Sequence, residues 1–487
     1  MANPEHLKQL ISGNWRAWRQ ANPRIVPDLV DADLSGADLA GLDLSKAILS
    51  RARLDGCSLR GAVLAGATVD GVRAAGTVFD GADLSNVRLD LLDLRGCSFV
   101  KATFTGASFR GTNLSGCNLS GADLANVNLE GAVLEKASLA EANLTDASLR
   151  GVRLEGANLS RARLRGVILE GVALGGNDLS WADMEGVHAA RAQLDGANLA
   201  RAVLRRAVLR EASLQRAILS RADLSEAQLS HARLNGANLE GAILAACDAQ
   251  GADFRESRIT GLVLEGSQLA GSHWEDLDLR VARMSKVSFV RANLVRCQLA
   301  ELNLSSCRFE QARLEGADLR AATLEGVAMQ GARLAGAQLR NARLRQANLA
   351  EAQAPGANFS GADMIYTILD DAELVGADLR FARLVGASCR RCNFRWANLQ
   401  GAELSKAVLG GAKFWKANVK KAKLPFAWTL WTLLIAVPGV FAKAQAHGLA
   451  YEQKHRQRRA KETAALVRDL EEKDPHLRRA GRRPPGR

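Results

Sequence analysis

The chain of 487 residues is 47% hydrophobic but only 5% aromatic, and it carries a formal net charge of +13. A core made from so few large side chains offers little to enclose a catalytic pocket, and the seven His and eight Cys show neither metal-ligand spacing nor a C-x-x-C pair. We therefore predict that the protein is not an enzyme, that it holds no metal or cofactor, and that its thiols are free in a reducing cytoplasm.

Residues 1–28 are predicted to form an N-terminal helical cap. Five apolar side chains recur there at helical spacing: Leu7, Leu10, Ile11, Trp15 and Trp18. Pro23 and Pro27 end the pattern. The first residues do not combine a basic start with an apolar run, so we expect no secretory signal. One amphipathic helix here suits the end of a repetitive domain, because terminal repeats need caps.

Every fifth residue from Leu34 to Leu424 is apolar. Leu fills 56 of these 79 positions, and Ala fills 51 of the 79 positions two residues earlier. Neither set contains a charged residue, although 24% of the chain is charged. A period of five turns an α-helix by a further ~140° each time, so a helix would have no constant apolar face. Side chains two apart share one side of an extended segment, so both sets can face inward.

Gly is frequent two residues after the central apolar position, as at Gly36, Gly56, Gly61 and Gly81. Gly tolerates backbone angles that are closed to other residues, which suits a corner. Short extended stretches joined by corners and wound continuously form a solenoid with Leu and Ala inside. We therefore predict an all-β solenoid over residues 29–424.

The repeat A-[DN]-L-x-x, as in Ala37-Asp38-Leu39, resembles that of the pentapeptide-repeat family. The resemblance implies a right-handed quadrilateral β-helix with four pentapeptides per coil, and therefore about 20 coils in residues 29–424. Residues twenty apart should then stack. Four inward aromatic pairs have this separation: Phe79 with Phe99, Phe254 with Trp274, Phe289 with Phe309, and Phe394 with Phe414.

Three kinds of inward residue depart from the Leu and Ala pattern. All eight Cys lie at inward positions, and we interpret them as small apolar filler rather than as a redox or metal column. Asn177 is the only inward amide, and we expect backbone groups to pair with it. Between Cys247 and Met284 the pattern becomes irregular around Trp274. We interpret this irregularity as local repacking rather than as a partner-binding bulge.

Residues 425–442 are predicted to form an apolar helical segment that is membrane-associated, capping or dimerising. The run from Leu424 to Ala442 has no charge, and six Lys closely precede it. Aromatic side chains beside Lys at the edge of an apolar run are typical of a membrane interface. The residues predicted to contact a membrane or a second copy of the chain are Trp396, Trp415, Phe426, Trp428, Trp431, Leu434 and Phe441. Pro438 and the basic tail favour shallow insertion over a full crossing.

Residues 443–487 are predicted to form a basic charged helix and a disordered tail. This segment has 13 Lys and Arg against 6 Asp and Glu. Residues 29–442, in contrast, have 48 against 44 and are close to neutral.

These features favour a non-enzymatic scaffold or protein-interaction rod. We expect an unidentified protein partner, no small-molecule substrate, and a cytoplasmic location peripheral to or inserted in the membrane through the C-terminal segment. The family resemblance implies an alternative, because some quinolone-resistance members imitate B-form DNA and bind DNA gyrase. Such mimicry needs an acidic surface, and we do not expect this solenoid to bind or imitate nucleic acid. A third alternative is binding of anionic lipid or nucleic acid by the basic tail.

Overall fold

The computed structural model describes residues 1–425. Met1–Lys423 form one compact unit, with helix α1 at Pro4–Ile11, helix α2 at Trp15–Ala21 and a one-turn 3₁₀ helix at Leu279–Val281. The rest of this unit is a β-solenoid whose strands are reduced to single bridge residues. The segment predicted at 425–442, except for Pro425, and the tail predicted at 443–487 lie outside the described residues.

Parallel β-bridges join residues twenty apart along most of the solenoid. The first bridge pairs Asp28 with Ile48, and the last pairs Glu403 with Lys423. Because twenty residues are four pentapeptides, one coil contains four repeats, as the aromatic spacing predicts. The five-residue frame continues throughout this range without an inserted domain.

Most pentapeptides satisfy their backbone groups in the same way. The Leu29 amide donates to the Ile48 carbonyl in the next coil at 2.8 Å, and the Ile48 amide donates back to the Pro27 carbonyl at 2.8 Å. A tight turn closes the corner, where the Ala32 amide donates to the Leu29 carbonyl at 3.1 Å. The corner residue has a positive φ, which Gly adopts readily. Non-glycine residues such as Arg51, at φ +58°, occupy this position too.

The aromatic residues of the interior stack as predicted. Ring centroids are 4.8 Å apart for Phe79 and Phe99, 4.1 Å for Phe254 and Trp274, 5.4 Å for Phe289 and Phe309, and 5.0 Å for Phe394 and Phe414. The planes of each pair lie within 17° of parallel. Such pairs stabilise the core by about 0.5–1.5 kcal/mol beyond the burial of their surface.

Several polar side chains inside the solenoid donate hydrogen bonds to carbonyl groups of the preceding coil. Asn177 donates from Nδ2 to the Leu154 carbonyl at 2.6 Å, and Cys57 donates from Sγ to the Leu34 carbonyl at 2.6 Å. All eight Cys are buried free thiols. Burial raises the pKa of Cys97 to about 11 and that of Cys247 to about 12. The thiols therefore stay protonated near neutral pH, which agrees with their interpretation as filler.

The irregular stretch between Cys247 and Met284 keeps its inward residues in the core. Trp274 is fully buried and donates from Nε1 to Ser272 Oγ at 2.7 Å. The Ser272 hydroxyl in turn donates to the Leu269 carbonyl at 2.6 Å. The interior is thus repacked around Trp274, as predicted. The backbone departs from the regular corner close by, at the 3₁₀ helix.

The N-terminal residues form two short helices and not the single helix predicted. Gly13, at φ +76°, separates α1 from α2, and Ile11 is 71% exposed although the helical pattern placed it on the apolar side. The turn brings Trp15 against the first coil, where it is 1% exposed. A continuous helix would carry Trp15 further along the axis of α1.

The first coil has no preceding coil to pair with its backbone groups. Residues of the two N-terminal helices supply hydrogen-bond partners instead. Trp15 Nε1 donates to the Asp43 carbonyl at 2.8 Å, and Arg19 donates to the Ser45 carbonyl at 3.1 Å. The Asp28 amide donates to His6 Nδ1 at 3.0 Å. An open sheet edge presents unpaired groups that favour association with other chains. These hydrogen bonds give partners to backbone groups at the first coil, and the capping role itself stays a prediction.

Among the described residues, the bridges between adjacent coils are interrupted at residues 68–93, 153–173, 258–278 and 283–303. Within residues 1–425, the Leu154 amide makes no backbone hydrogen bond to the next coil. Val152 and Val172 stack there at inward positions where Ala is usual, and they are 6% and 7% exposed. Val72 and Leu92 have the same arrangement and a similar interruption. Two stacked large side chains thus accompany the interruption at these positions, although Val167 and Val187 stack with the ladder intact.

Candidate interaction surface

Positive charge is concentrated at the C-terminal end of the solenoid. Residues 380–423 contain 11 Lys and Arg and a single acidic residue, Glu403. Residues 29–379 contain 37 Lys and Arg against 43 Asp and Glu. We call the Lys and Arg side chains of residues 380–423 the basic collar. The near balance of the whole shaft therefore conceals a net charge of −6 followed by +10.

The two described residues of the predicted contact site, Trp396 and Trp415, lie together in the collar. Their ring centroids are 5.1 Å apart, and their planes are nearly perpendicular at 87°. The Lys416 ammonium lies 4.2 Å from the ring centroid of Trp396 and 4.8 Å from that of Trp415. Trp415 is 55% exposed. The pair thus presents an indole surface and a cation to the solvent.

Two further exposed aromatic residues occupy corner positions in the C-terminal coils of the solenoid. Tyr366 is 59% exposed and Phe381 is 65% exposed. Their rings lie over Gly386 and Gly401 of the next coil, where an added Cβ would come within 2.5 Å and 2.7 Å of ring carbons. Sequence reasoning missed both residues, because they occupy corner positions that the inward pattern does not describe.

Ion pairs with carboxylates of residues 1–425 involve four collar residues. Arg380 lies 2.7 Å from Asp378, Arg391 lies 2.5 Å from Asp371, Arg383 lies 3.3 Å from Asp363, and Lys423 lies 3.9 Å from Glu403. The hydrogen bond from Arg391 holds the pKa of Asp371 below its usual value. These ion pairs neutralise part of the collar.

Six other collar residues are not neutralised by a nearby carboxylate of the described part of the chain. Within residues 1–425, no carboxylate oxygen lies within 4.0 Å of the charged groups of Arg390, Arg395, Lys406, Lys413, Lys420 and Lys421. All six side chains are exposed. The collar is therefore suited to bind an extended anionic surface.

The described residues contain neither a candidate metal site nor a candidate membrane-spanning helix. In residues 1–425, no cluster of three or more His, Cys, Asp or Glu could hold a metal ion. Over the same residues, no helix has the length and apolar character needed to cross a bilayer. Five residues of the predicted contact site lie outside the described range: Phe426, Trp428, Trp431, Leu434 and Phe441. Their contacts stay predictions.

The chain belongs to the pentapeptide-repeat family. The family profile, described as pentapeptide repeats in eight copies, matches residues 28–188, 190–261 and 297–424 in overlapping segments. Members fold as right-handed quadrilateral β-helices and are generally non-enzymatic structural or interaction proteins. The unmatched residues 262–296 contain Trp274 and the 3₁₀ helix, where the repeat is least regular.

Several solved pentapeptide-repeat structures are similar to this chain. HetL from Nostoc sp. strain PCC 7120, a protein involved in regulating heterocyst differentiation, is 25% identical over 63% of this chain and 90% of its own, with a TM-score of 0.17. QnrB1, a plasmid-mediated fluoroquinolone resistance protein, is 21% identical over 45% of this chain and 99% of its own, with a TM-score of 0.19. Rfr23 from Cyanothece 51142 is 22% identical over 30% and 97%, with a TM-score of 0.14. No curated protein sequence matches the chain.

Proposed function

We propose that this protein is a non-enzymatic scaffold, a stiff rod that presents its faces to protein partners and is held at a membrane by its C-terminal apolar segment. The observation that carries the proposal is the backbone ladder from Asp28 to Lys423 around a dry interior. A solenoid whose coils are hydrogen-bonded to both neighbouring coils resists bending.

The outward faces supply polar contacts in a regular array. Residues twenty apart stack on these faces, and several form amide and carboxylate ladders. Asn198 donates to Asp178 at 3.0 Å, and Asn418 donates to Asn398 at 3.0 Å. Such rows offer donors and acceptors at the coil spacing of about 4.8 Å. This spacing suits recognition of a folded protein surface or of an extended backbone.

DNA mimicry, the alternative that the family resemblance implies, needs a much higher charge density. The net charge of −6 over residues 29–379 is about a third of a charge per twenty-residue coil. B-form DNA carries about three negative charges over the ~4.8 Å rise of one coil. The basic collar reverses even this small excess. The charge distribution therefore favours the scaffold.

Membrane attachment is tested by comparing the full chain with a version that ends at Lys423. We expect the full chain in the membrane fraction of lysed cells and the shortened version in the supernatant, provided that both have the circular dichroism of a β-solenoid. A full chain that is dimeric in the supernatant would replace the membrane with a second copy. A monomeric, detergent-independent full chain would leave only a capping role for residues 425–442.

The scaffold role is tested by binding rather than by turnover. Tagged full-length protein should retain a specific set of proteins, and charge reversals on one outward face should release a subset of them. Release of all partners by every reversal would contradict a scaffold with separate faces.

A further inference from the structure

We propose that the basic collar is a docking site for anionic phospholipid headgroups, which the solenoid approaches with its C-terminal end. The inference rests on the proposed membrane attachment and names its chemistry. It assigns to the repeat domain itself a role in lipid binding that the apolar segment cannot supply, namely selection of negatively charged lipid.

The collar surrounds the solenoid axis. Arg391, Lys406, Lys416 and Lys421 all occupy corner positions with φ between +54° and +60°. Four pentapeptides complete one coil, so these four corners point in four different directions. A partner that lies along one face of the rod would meet only one or two of them. A flat surface perpendicular to the axis would meet all four.

The charge is confined to the end of the rod. Eleven basic residues against one acidic residue lie in residues 380–423, whereas residues 29–379 have a net charge of −6. An anionic surface therefore attracts one end of the solenoid and weakly repels its body. This distribution holds the C-terminal end at the surface and directs the body of the rod away from it. The outward faces of the body then stay accessible to partners.

The aromatic residues favour a bilayer over nucleic acid as the occupant. Trp396 and Trp415 lie beside Lys416, and exposed Phe381 follows Arg380. Trp and Lys together are typical of the headgroup level of a membrane. By sequence, the chain then continues from Leu424 into 19 residues without a charge. The acyl region of a bilayer can bury such an apolar run, whereas a nucleic acid cannot.

The test compares two charge reversals of equal size in the full chain. The collar variant carries Lys413→Glu, Lys420→Glu and Lys421→Glu. The control variant carries Arg150→Glu, Arg210→Glu and Arg340→Glu, three exposed residues of the body that form no ion pair within residues 1–425. Both variants have the same net charge, and their thermal unfolding should match that of the wild type.

The probe is a set of vesicles that contain phosphatidylcholine alone or phosphatidylcholine with a minor fraction of phosphatidylglycerol. Each basic residue near an anionic bilayer contributes about a fivefold increase in partitioning. The loss of three such residues should make the collar variant bind anionic vesicles about a hundredfold more weakly than the wild type. The control variant should lose less than about twofold, because its residues lie away from the surface.

Three results would overturn the proposal. Wild-type binding by the collar variant would remove its basis. An equal loss in the control variant would mean that only net charge matters. Loss of binding to a short DNA duplex without loss of vesicle binding would make the collar a nucleic-acid site. Binding to neutral vesicles reports on the apolar segment alone, so its failure would contradict the proposed anchor without contradicting the collar.

Discussion

The two ends of the solenoid are built from the same repeat but differ in what covers them. At the N-terminal end, α1 and α2 cover the first coil, and Trp15, Arg19 and His6 pair with its backbone groups. At the C-terminal end, the last coils expose Trp415 and a ring of Lys and Arg. The first end is closed by local structure, and the second has the composition of a binding surface.

The difference is possible because the repeat constrains only part of each pentapeptide. The two inward positions must be small or apolar, but the three outward positions accept almost any residue. Arg, Trp, Tyr and Gly all occur at corners with positive φ. The distribution of charge along the rod is therefore independent of the fold, and it is where functional differences between solenoids can be found.

The largest effect should come from placing a charge in the shared interior. Leu204 is fully buried, so Leu204→Asp would put an unpaired carboxylate in a dry core and cost more than about 4 kcal/mol, enough to prevent folding. Gln193→Asp on an outward face should change stability by less than about 0.5 kcal/mol. Thermal unfolding by circular dichroism measures both. Wild-type stability of Leu204→Asp would refute the inward assignment.

The contrast between the ends predicts unequal effects for two Trp residues. Trp15→Ala removes a fully packed side chain and leaves the Asp43 carbonyl without its donor, so we expect a loss of about 3–5 kcal/mol. Trp415→Ala removes a half-exposed ring and should cost less than about 1 kcal/mol. Hydrogen exchange should increase in the first coils of the Trp15 variant. Equal losses would mean that both ends are capped in the same way.

Much of the interior could be predicted from sequence, because the period of five leaves little choice. The stacking of Phe254 on Trp274 follows once four repeats form a coil. Phe381 and Tyr366 could not be found in this way, because corner positions tolerate any residue. The break of the cap at Gly13 depends on tertiary contacts of Trp15. The excess of Lys and Arg in the collar is present in the sequence. A single sum of charge over the whole shaft conceals it.

The buried thiols predict a loss of stability in alkaline solution. The native pKa of Cys247 is about 12, above the value of about 9 expected in the unfolded chain. The thiol of the unfolded chain therefore loses its proton first as the pH rises. The free energy of unfolding falls for this reason from about pH 9 upward. Relative to Cys247→Ala, the wild type should lose about 1.4 kcal/mol between pH 8 and pH 10. A pH-independent difference would mean that the thiol is accessible to water.

The smallest effect concerns the interrupted ladder of the body, where a large-to-small change should be tolerated. Val172→Ala would let the coils close and restore the bond from the Leu154 amide, so we expect a gain of about 0.5–1 kcal/mol. Val187 is the matched control, because it stacks on Val167 where the ladder is intact. Val187→Ala should leave a cavity and cost about 1–2 kcal/mol. Thermal unfolding separates the two, and hydrogen exchange at Leu154 should slow only in Val172→Ala. A comparable loss in both variants would show that Val172 supports the core instead of holding the coils apart.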